Sequence, residues 1–217
     1  GVNAYIQEAL WDEDRFLELP YLNSPQWRVS YNIESIAPRN WNAAWERDYA
    51  PIQVGSRCMV RAPFHEKPAG EMAYDIVISP RMSFGTGHHQ TTHLMLDHLL
   101  ELDLNGRAVL DMGTGTGVLA ILASMKGAAP VTAVDIDQWA FENCQENTRT
   151  NGQGQIEVLQ GDIDLLEGRQ FDVILANINK NILLNHLPGY ARMLSDGGLL
   201  LLSGFYREDL PDLNRDA

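Results

Sequence analysis

The chain has few cysteines, no long apolar run and few basic residues, and each shortage narrows what the protein can be. The two cysteines, Cys58 and Cys144, show no paired spacing. We interpret both as reduced thiols that pack in the interior, which excludes a disulfide framework. The longest apolar runs, such as residues 198–202, are far too short to span a bilayer. These shortages favour a cytoplasmic protein that has no contact with a membrane.

The shortage of basic residues excludes a second class of protein. Lys and Arg total 16 against 29 Asp and Glu, which gives a formal net charge of −13 at pH 7. An acidic surface repels phosphates and therefore argues against direct binding of nucleic acid. It suits a basic protein or an amine as partner, although an acidic surface serves solubility equally often. With 45% hydrophobic residues, the chain can bury one good core and a smaller second one. We expect a monomer.

The segment at residues 109–119 carries the strongest functional signal. An apolar strand runs into three glycines at alternate positions, Gly113, Gly115 and Gly117, and an apolar helix follows at once. Glycine lets the backbone turn sharply and lets a ligand approach the amides. A second strand, residues 131–134, then ends at Asp135. This pattern predicts a βαβ unit that holds a nucleoside, with the acid accepting hydrogen bonds from ribose hydroxyls. The alternative is a tight turn in an unrelated α/β sheet.

The composition of this loop distinguishes between nucleoside ligands. Val118 stands where a dinucleotide fingerprint needs its third glycine, and no Gly-Lys-Ser/Thr ending is present to hold a triphosphate. Asp111 precedes the first glycine, and we expect its carboxylate at the mouth of the loop. There it would repel a pyrophosphate and suit a cationic ligand, directly or through a water. S-adenosylmethionine has no phosphate and carries a sulfonium and an ammonium, so the loop favours it over NAD. The loop resembles the first motif of the class I methyltransferases.

Two further polar residues follow predicted strands. Loops at the carboxyl ends of parallel strands face the ligand, so Asp162 could bind the adenine amino group, or Ile163 could bind it through its backbone. An ordinary helix N-cap is the alternative for Asp162. Asn177 leaves its strand where the methyl sulfonium should lie, and its amide can accept a hydrogen bond from a substrate amine. A chance turn asparagine is the alternative there.

The second half of the chain alternates between strands and helices. Predicted strands centre on five residues: Leu110, Ala133, Val158, Ile174 and Leu200. That alternation requires a parallel sheet with right-handed crossovers and helices on both faces.

The first half is predicted to be more irregular. We expect a helix within residues 12–19, a strand at 27–33, a short helix at 41–49, short strands at 52–54, 57–61 and 75–78, and a helix at 91–102. The resulting domain prediction has three parts. Residues 1–36 form the tail of a small α+β module, residues 37–80 form a connector, and residues 81–217 form the nucleoside-binding domain.

Five segments in order carry a more specific resemblance. They are Asn40-Trp41-Asn42 with Trp45, then Ser83-Phe84-Gly85-Thr86-Gly87 through Thr91-Thr92, the loop from Asp111 to Gly117, Asp135-Ile136-Asp137, and Ala176-Asn177-Ile178. With them the chain resembles the PrmA family, the bacterial methyltransferases of ribosomal protein eleven of the large subunit. The resemblance covers nearly the whole chain. It implies a Rossmann-like class I methyltransferase domain that follows an α+β, ferredoxin-like module.

The resemblance also implies roles for individual residues. The cofactor, S-adenosylmethionine, would contact Thr92, Gly113, Asp135 and Asn177. Phe84 would belong to a mobile lid over it at residues 83–90. The substrate would be lysine and/or α-amino groups of ribosomal protein eleven of the large subunit.

The sequence departs from the family at several points. Thr114 replaces the usual cysteine, Arg81 replaces a common glycine, and residues 87–90 read Gly-His-His-Gln instead of Gly-Thr-His-Pro. Compared with the family, we expect this sequence to lack the strand pair after Arg207 and to contain only the last part of the substrate module.

Other functions leave weaker signals. His89 and His93 are four residues apart and could share a metal, but no third ligand has convincing spacing, so we predict no metal site. His65, His98 and His186 carry no signal beyond surface or packing roles. Methylation of a protein glutamine or of a small molecule is the enzymatic alternative. Glutamine-specific enzymes, however, end this strand in Asn-Pro-Pro-Tyr, and this chain lacks both prolines. A cofactor-binding module without catalysis is the last alternative.

Overall fold

The computed structural model describes residues 10–20, 50–68, 72–79 and 90–216, together with residues 6, 22, 24, 26, 29–33 and 70. The chain divides into two compact units, Gly1–Asp48 and Tyr49–Ala217. Within the described ranges, no helix is both long and apolar enough to cross a membrane. The domain boundaries expected near residues 36 and 80 stay predictions.

Within its described residues, the first unit contains one short α-helix, α1 (Glu13–Leu17), as the sequence predicts. Asp12 caps it by accepting a hydrogen bond from the Arg15 amide at 3.0 Å. The strand expected at residues 27–33 is wrong for its described part, because residues 29–33 are not in a strand. An alternating segment becomes a strand only when it pairs, and the described residues of this unit include no other strand. The helix predicted at residues 41–49 lies outside the described residues.

The second unit begins with a small three-stranded sheet. Its strands are β1 (Ile52–Val54), β2 (Cys58–Arg61) and β3 (Tyr74–Val77), which confirms the three short strands expected from the sequence. β1 and β2 form an antiparallel hairpin, whereas β2 and β3 are parallel. Across the parallel pair, the buried Arg61 guanidinium makes a two-pronged ion pair with Asp75, at 2.7 and 2.9 Å.

The larger sheet follows, with helices between its strands. Its elements are α2 (Gln90–Glu101), β4 (Val109–Met112), α3 (Val118–Met125), β5 (Val131–Asp135), α4 (Gln138–Thr150), β6 (Glu157–Gln160), β7 (Phe171–Asn177), α5 (Lys180–Met193), β8 (Leu194–Ser203) and α6 (Leu210–Asp216). Single 3₁₀ turns lie at Ile163–Leu166 and Arg207–Asp209. All five predicted strands are confirmed.

The five strands are all parallel, in the order β6-β5-β4-β7-β8. The chain runs outward from β4 through β5 to β6, then crosses back to β7 on the other side of β4. The switch in direction therefore lies between β4 and β7, where parallel α/β sheets bind ligands at the carboxyl edge.

An apolar core covers each face of this sheet. One core joins α2 and α3 to the small sheet and to strand residues such as Val109, Ala133 and Leu175. The other joins α5 to the alternate strand residues, among them Leu110 and Ile174. This confirms helices on both faces. Cys58 and Cys144 are unpaired and buried in the first core, as predicted.

Three asparagines spaced four residues apart, two in α4 and one just after it, bind the backbone of β3 and of Ser79. Asn151 accepts a hydrogen bond from the Val77 amide and donates to the Val77 carbonyl, at 2.8 and 2.7 Å. Asn147 accepts from the Ser79 amide at 2.9 Å, and Asn143 donates to the Ser79 carbonyl at 3.3 Å. These side chains satisfy the backbone of β3 and of the residues just after it, as a neighbouring strand would.

Asn147 has a second role, because its amide nitrogen also donates to the Thr116 carbonyl at 2.8 Å. Thr116 lies in the glycine loop between β4 and α3. One fully buried side chain therefore joins that loop to the segment that leaves β3.

We predict that Asn147→Ala lowers the free energy of unfolding by about 2–3 kcal/mol, because it removes the acceptor of the half-buried Ser79 amide and a donor to the buried Thr116 carbonyl. The matched control is Asn185→Ala, at an exposed position of α5, which should change stability by less than about 0.5 kcal/mol. Urea unfolding of the three proteins measures both effects. Equal stability of all three would show that the asparagine ladder contributes nothing.

Candidate active site

The glycine loop adopts a backbone that other residues would strain. Gly113, Gly115 and Gly117 have φ angles of 72°, 56° and 83°, in the left-handed region that favours glycine. Space is restricted as well, because a Cβ on Gly113 would collide with the side chain of Ile178 and one on Gly117 would lie 2.7 Å from the Cys144 sulfur. Conformation therefore favours glycine at all three positions, and packing adds a restriction at Gly113 and Gly117.

Asp111 holds this loop from inside the protein. Its side chain is 1% exposed. Its Oδ2 accepts hydrogen bonds from the Thr114 hydroxyl at 2.6 Å and from the Ala120 amide at 3.1 Å. The structure thus corrects the expectation that this carboxylate lies at the mouth of the loop, because it bonds to the loop and to the first turn of α3. Thr114, a departure from the family, supplies one of the two donors. Contact between Asp111 and a ligand stays a prediction.

Asp135 ends β5 and is positioned by backbone amides. Its Oδ2 accepts from the Gly115 amide at 2.8 Å, and its Oδ1 accepts from the Asp137 amide at 3.0 Å. Each carboxylate oxygen can accept a further hydrogen bond. The carboxylate is therefore fixed beside the glycine loop with capacity left for two hydroxyl donors.

Asn177 ends β7 and contacts Thr92 of α2. The Asn177 amide nitrogen donates to the buried Thr92 hydroxyl at 3.1 Å. The amide oxygen, Oδ1, is buried and has no hydrogen-bond partner among the residues that the structure describes. An unpaired buried acceptor costs about 1–3 kcal/mol, so this oxygen is suited to a donor on a ligand.

Strand register explains why these groups meet. Met112 of β4 lies level with Val134 of β5 and with Ala176 of β7. The residues that follow this row are Gly113, Asp135 and Asn177. These three residues come from separate stretches of sequence but lie close together at the carboxyl edge of the sheet.

Asp162 lies beyond the end of β6 and has two partners. Its Oδ1 accepts from the Ile163 amide at 2.8 Å, which caps the following 3₁₀ turn, and pairs with His186 Nε2 at 3.1 Å. The N-cap role is therefore present, and adenine binding stays a prediction. Sequence analysis missed His186, because a single histidine on an amphipathic helix gives no sign of which residue it faces.

Phe84, His89 and most of the lid predicted at residues 83–90 lie outside the described residues. His93 lies on α2. In the described part of the chain, no group of three or more His, Cys, Asp or Glu side chains is arranged to hold a metal ion.

The strand order, the glycine loop after the central strand and the acid that ends the neighbouring strand define the class I fold of the S-adenosylmethionine-dependent methyltransferases. Within that class, the chain belongs to the PrmA family, described as ribosomal protein L11 methyltransferase, whose model matches residues 1–216.

Individual relatives agree with this assignment. A ribosomal protein L11 methyltransferase of Phocaeicola vulgatus is 47% identical over 220 residues, covering all of this chain and 78% of the relative. The structure of a ribosomal protein L11 methylase from Lactobacillus delbrueckii subsp. bulgaricus is 29% identical, with a TM-score of 0.72 over 77% of this chain and 86% of that chain. A 16S rRNA methyltransferase from T. thermophilus, solved with AdoMet and guanosine, is 26% identical, with a TM-score of 0.54 over 62% of this chain and 40% of that chain.

The buried Asp111 makes stability depend on pH. Burial, with a smaller contribution from the nearby Asp135 carboxylate, raises the pKa of this carboxyl to about 6, although the hydrogen bonds from Thr114 and Ala120 act to lower it. Because the pKa is higher in the folded than in the unfolded chain, its contribution to stability is fully present at low pH and is lost as pH rises through about 6.

We therefore predict that the protein loses about 1 kcal/mol of stability between pH 5 and pH 8 relative to Asp111→Asn, which cannot ionise. Urea unfolding of both proteins at the two pH values measures this difference. Parallel behaviour of the two proteins would mean that Asp111 does not titrate in this range.

Proposed function

We propose that this chain transfers a methyl group from S-adenosylmethionine to lysine and/or α-amino groups of ribosomal protein L11. The observation that carries the proposal is the buried Asn177 Oδ1, an acceptor at the carboxyl edge beside the glycine loop that has no hydrogen-bond partner among the described residues. A methyl acceptor that carries N–H groups is the substrate that this oxygen is built to bind.

The residues present suit the cofactor. Asp135 has acceptor capacity for the two ribose hydroxyls, and the glycine loop lets a ligand approach its backbone closely at Gly113 and Gly115. The lack of a third dinucleotide glycine agrees with a ligand without phosphate. When bound, S-adenosylmethionine supplies the methyl group and a neutral thioether leaving group.

The protein's contribution is then alignment and desolvation. The target amine must be unprotonated, although a free lysine has a pKa near 10.4. A site that excludes water penalises the charged ammonium and lowers that pKa. Asn177, held by Thr92 at 3.1 Å, accepts an N–H of the neutral amine. This hydrogen bond directs the lone pair of the amine nitrogen at the methyl group. The amine sheds its extra proton after transfer, and no dedicated base is required.

The proposed substrate and cellular location rest on the family of the protein and on its net negative charge. Relatives that cover the whole chain are named for ribosomal protein L11, and the acidic surface suits a basic partner. We further propose that the enzyme acts as a cytoplasmic monomer without direct contact with nucleic acid. Asn179 caps α5 by accepting from the Ile182 amide, which leaves Asn177 for the substrate. The choice of amine over glutamine rests on the lack of both prolines after Asn177.

The direct test mixes the protein with methyl-labelled S-adenosylmethionine and the proteins of the large ribosomal subunit. We expect label on L11, and peptide mass spectrometry should place it on lysine side chains or the terminal amine. Label on glutamine or on another protein would refute the proposed specificity. Binding of the cofactor without any transfer would favour a non-catalytic module.

We predict that Asp135→Ala weakens S-adenosylmethionine binding by about a hundredfold or more, because two charge-assisted hydrogen bonds are lost at about 1.5–3 kcal/mol each. Asp164→Ala is the control, since Asp164 is an exposed acid two residues from Asp162 and should bind with unchanged affinity. Calorimetry measures both. Wild-type affinity in Asp135→Ala would remove this carboxylate from the cofactor site.

We also predict that Asn177→Ala lowers kcat on L11 on the order of a hundredfold while it weakens cofactor binding much less, because misalignment of the amine affects mainly the transfer step. Asn177→Asp keeps an acceptor oxygen and should retain more activity than Asn177→Ala. Single-turnover transfer and equilibrium binding separate the two effects. A loss confined to cofactor affinity would contradict a substrate-aligning role.

A further inference from the structure

Three side chains in contact with one another run from the interior to the end of β6. The Tyr190 hydroxyl lies 3.2 Å from His186 Nδ1, and His186 Nε2 lies 3.1 Å from Asp162 Oδ1. Tyr190 is fully buried and His186 is 7% exposed, whereas the Asp162 side chain is 47% exposed. Tyr190 and His186 are four residues apart on α5, so they lie on one face of that helix.

The contact with a carboxylate favours the tautomer of His186 that carries its proton on Nε2. In that tautomer Nδ1 accepts from the Tyr190 hydroxyl. Burial, and then the Asp162 charge, raises the pKa of the tyrosine, so that hydroxyl remains a donor. In this arrangement each N–H or O–H group points in the same direction, from Tyr190 through His186 to the carboxylate.

This arrangement leaves the two carboxylate oxygens of Asp162 unequal. Oδ1 accepts a hydrogen bond from the Ile163 amide and lies 3.1 Å from His186 Nε2. Oδ2 accepts none from any residue in the described ranges. Because two groups from different elements contact Oδ1, rotation of the carboxylate is restricted and Oδ2 keeps one direction.

The position of Asp162 relative to Asp135 identifies the group that Oδ2 would meet. Gln160 of β6 is level with Asp135 of β5, and the Gly161 amide donates to the Asp135 carbonyl at 2.8 Å. Asp162 follows directly. A ribose bound to the Asp135 carboxylate would therefore place its base toward the end of β6.

We propose that His186, supported by Tyr190, is a positioning residue that aims Asp162 Oδ2 at the exocyclic amine of the adenine and so sets the preference of the site for adenine over hypoxanthine. This inference rests on the proposed function. Hypoxanthine carries a carbonyl oxygen in place of that amine, and a carboxylate oxygen repels it. A site built to bind an N–H group strongly rejects an analogue that lacks it.

The test compares the affinities of S-adenosylhomocysteine and S-inosylhomocysteine by calorimetry. We expect the wild-type protein to prefer the adenine ligand at least tenfold. His186→Leu should lower that preference several-fold, Tyr190→Phe should lower it less, and His186→Gln, which restores a donor near the position of Nε2, should recover part of it. His98→Leu, at an exposed position of α2, is the matched control and should keep the full preference.

Asp162→Asn should reverse the direction of the ligand preference, a result that loss of structure cannot produce. Its amide oxygen can still accept from Ile163 and His186, while its amide nitrogen takes the place of Oδ2 and donates to the base. We expect the preference to shift toward the hypoxanthine ligand.

The outcomes separate this inference from the proposed function. If His186→Leu and Tyr190→Phe weaken both ligands equally, the histidine has only a structural role and the inference is wrong. Tyr190→Phe decides the matter alone if His186→Leu does not fold. An equal affinity of the wild-type protein for both ligands also overturns the inference but leaves the proposed function intact. Failure of the wild-type protein to bind either ligand overturns the proposed function instead.

Discussion

Backbone pairing between three parallel strands is the constraint on which the candidate site depends. β4 lies between β5 and β7, and the row Met112, Val134 and Ala176 sets one common level in the sheet. The residues that follow this row, Gly113, Asp135 and Asn177, therefore all lie at the carboxyl edge of the sheet. A shift of two residues in either pairing would move Asp135 or Asn177 by about 7 Å and separate the groups that would have to act on one ligand.

Buried polar groups then hold the loops at this edge. Asp111 fixes the glycine loop to α3, and Asn147 ties the same loop to the segment that leaves β3. Both residues are almost fully buried, so their stabilisation depends on complete hydrogen bonding. Asn177 differs, because one of its buried atoms lacks a partner within the described structure. That contrast distinguishes a group that serves the fold from one that is suited to a ligand.

Patterned sequence predicted much of this arrangement. The five parallel strands, the glycine loop and the placement of Asp135 and Asn177 follow from apolar runs that end in glycine or a polar residue, a pattern set by local backbone chemistry. Residues 29–33 show the limit of that reasoning, since alternation alone does not provide a pairing strand. Asp111 and His186 show another limit. Whether a carboxylate lies inside or outside a loop, and which acid a histidine faces, depends on contacts between distant segments that the order of residues does not reveal.

The measurement that tests the account most directly is a crystal structure of the protein with S-adenosylhomocysteine. The account predicts that both ribose hydroxyls lie within hydrogen-bond distance of the Asp135 carboxylate, that the amino acid part crosses the glycine loop at Gly113, and that the sulfur lies beside Asn177. A ligand bound elsewhere on the chain, or one that leaves Asp135 and Asn177 without contact, would contradict the assignment of the carboxyl edge as the site of methyl transfer.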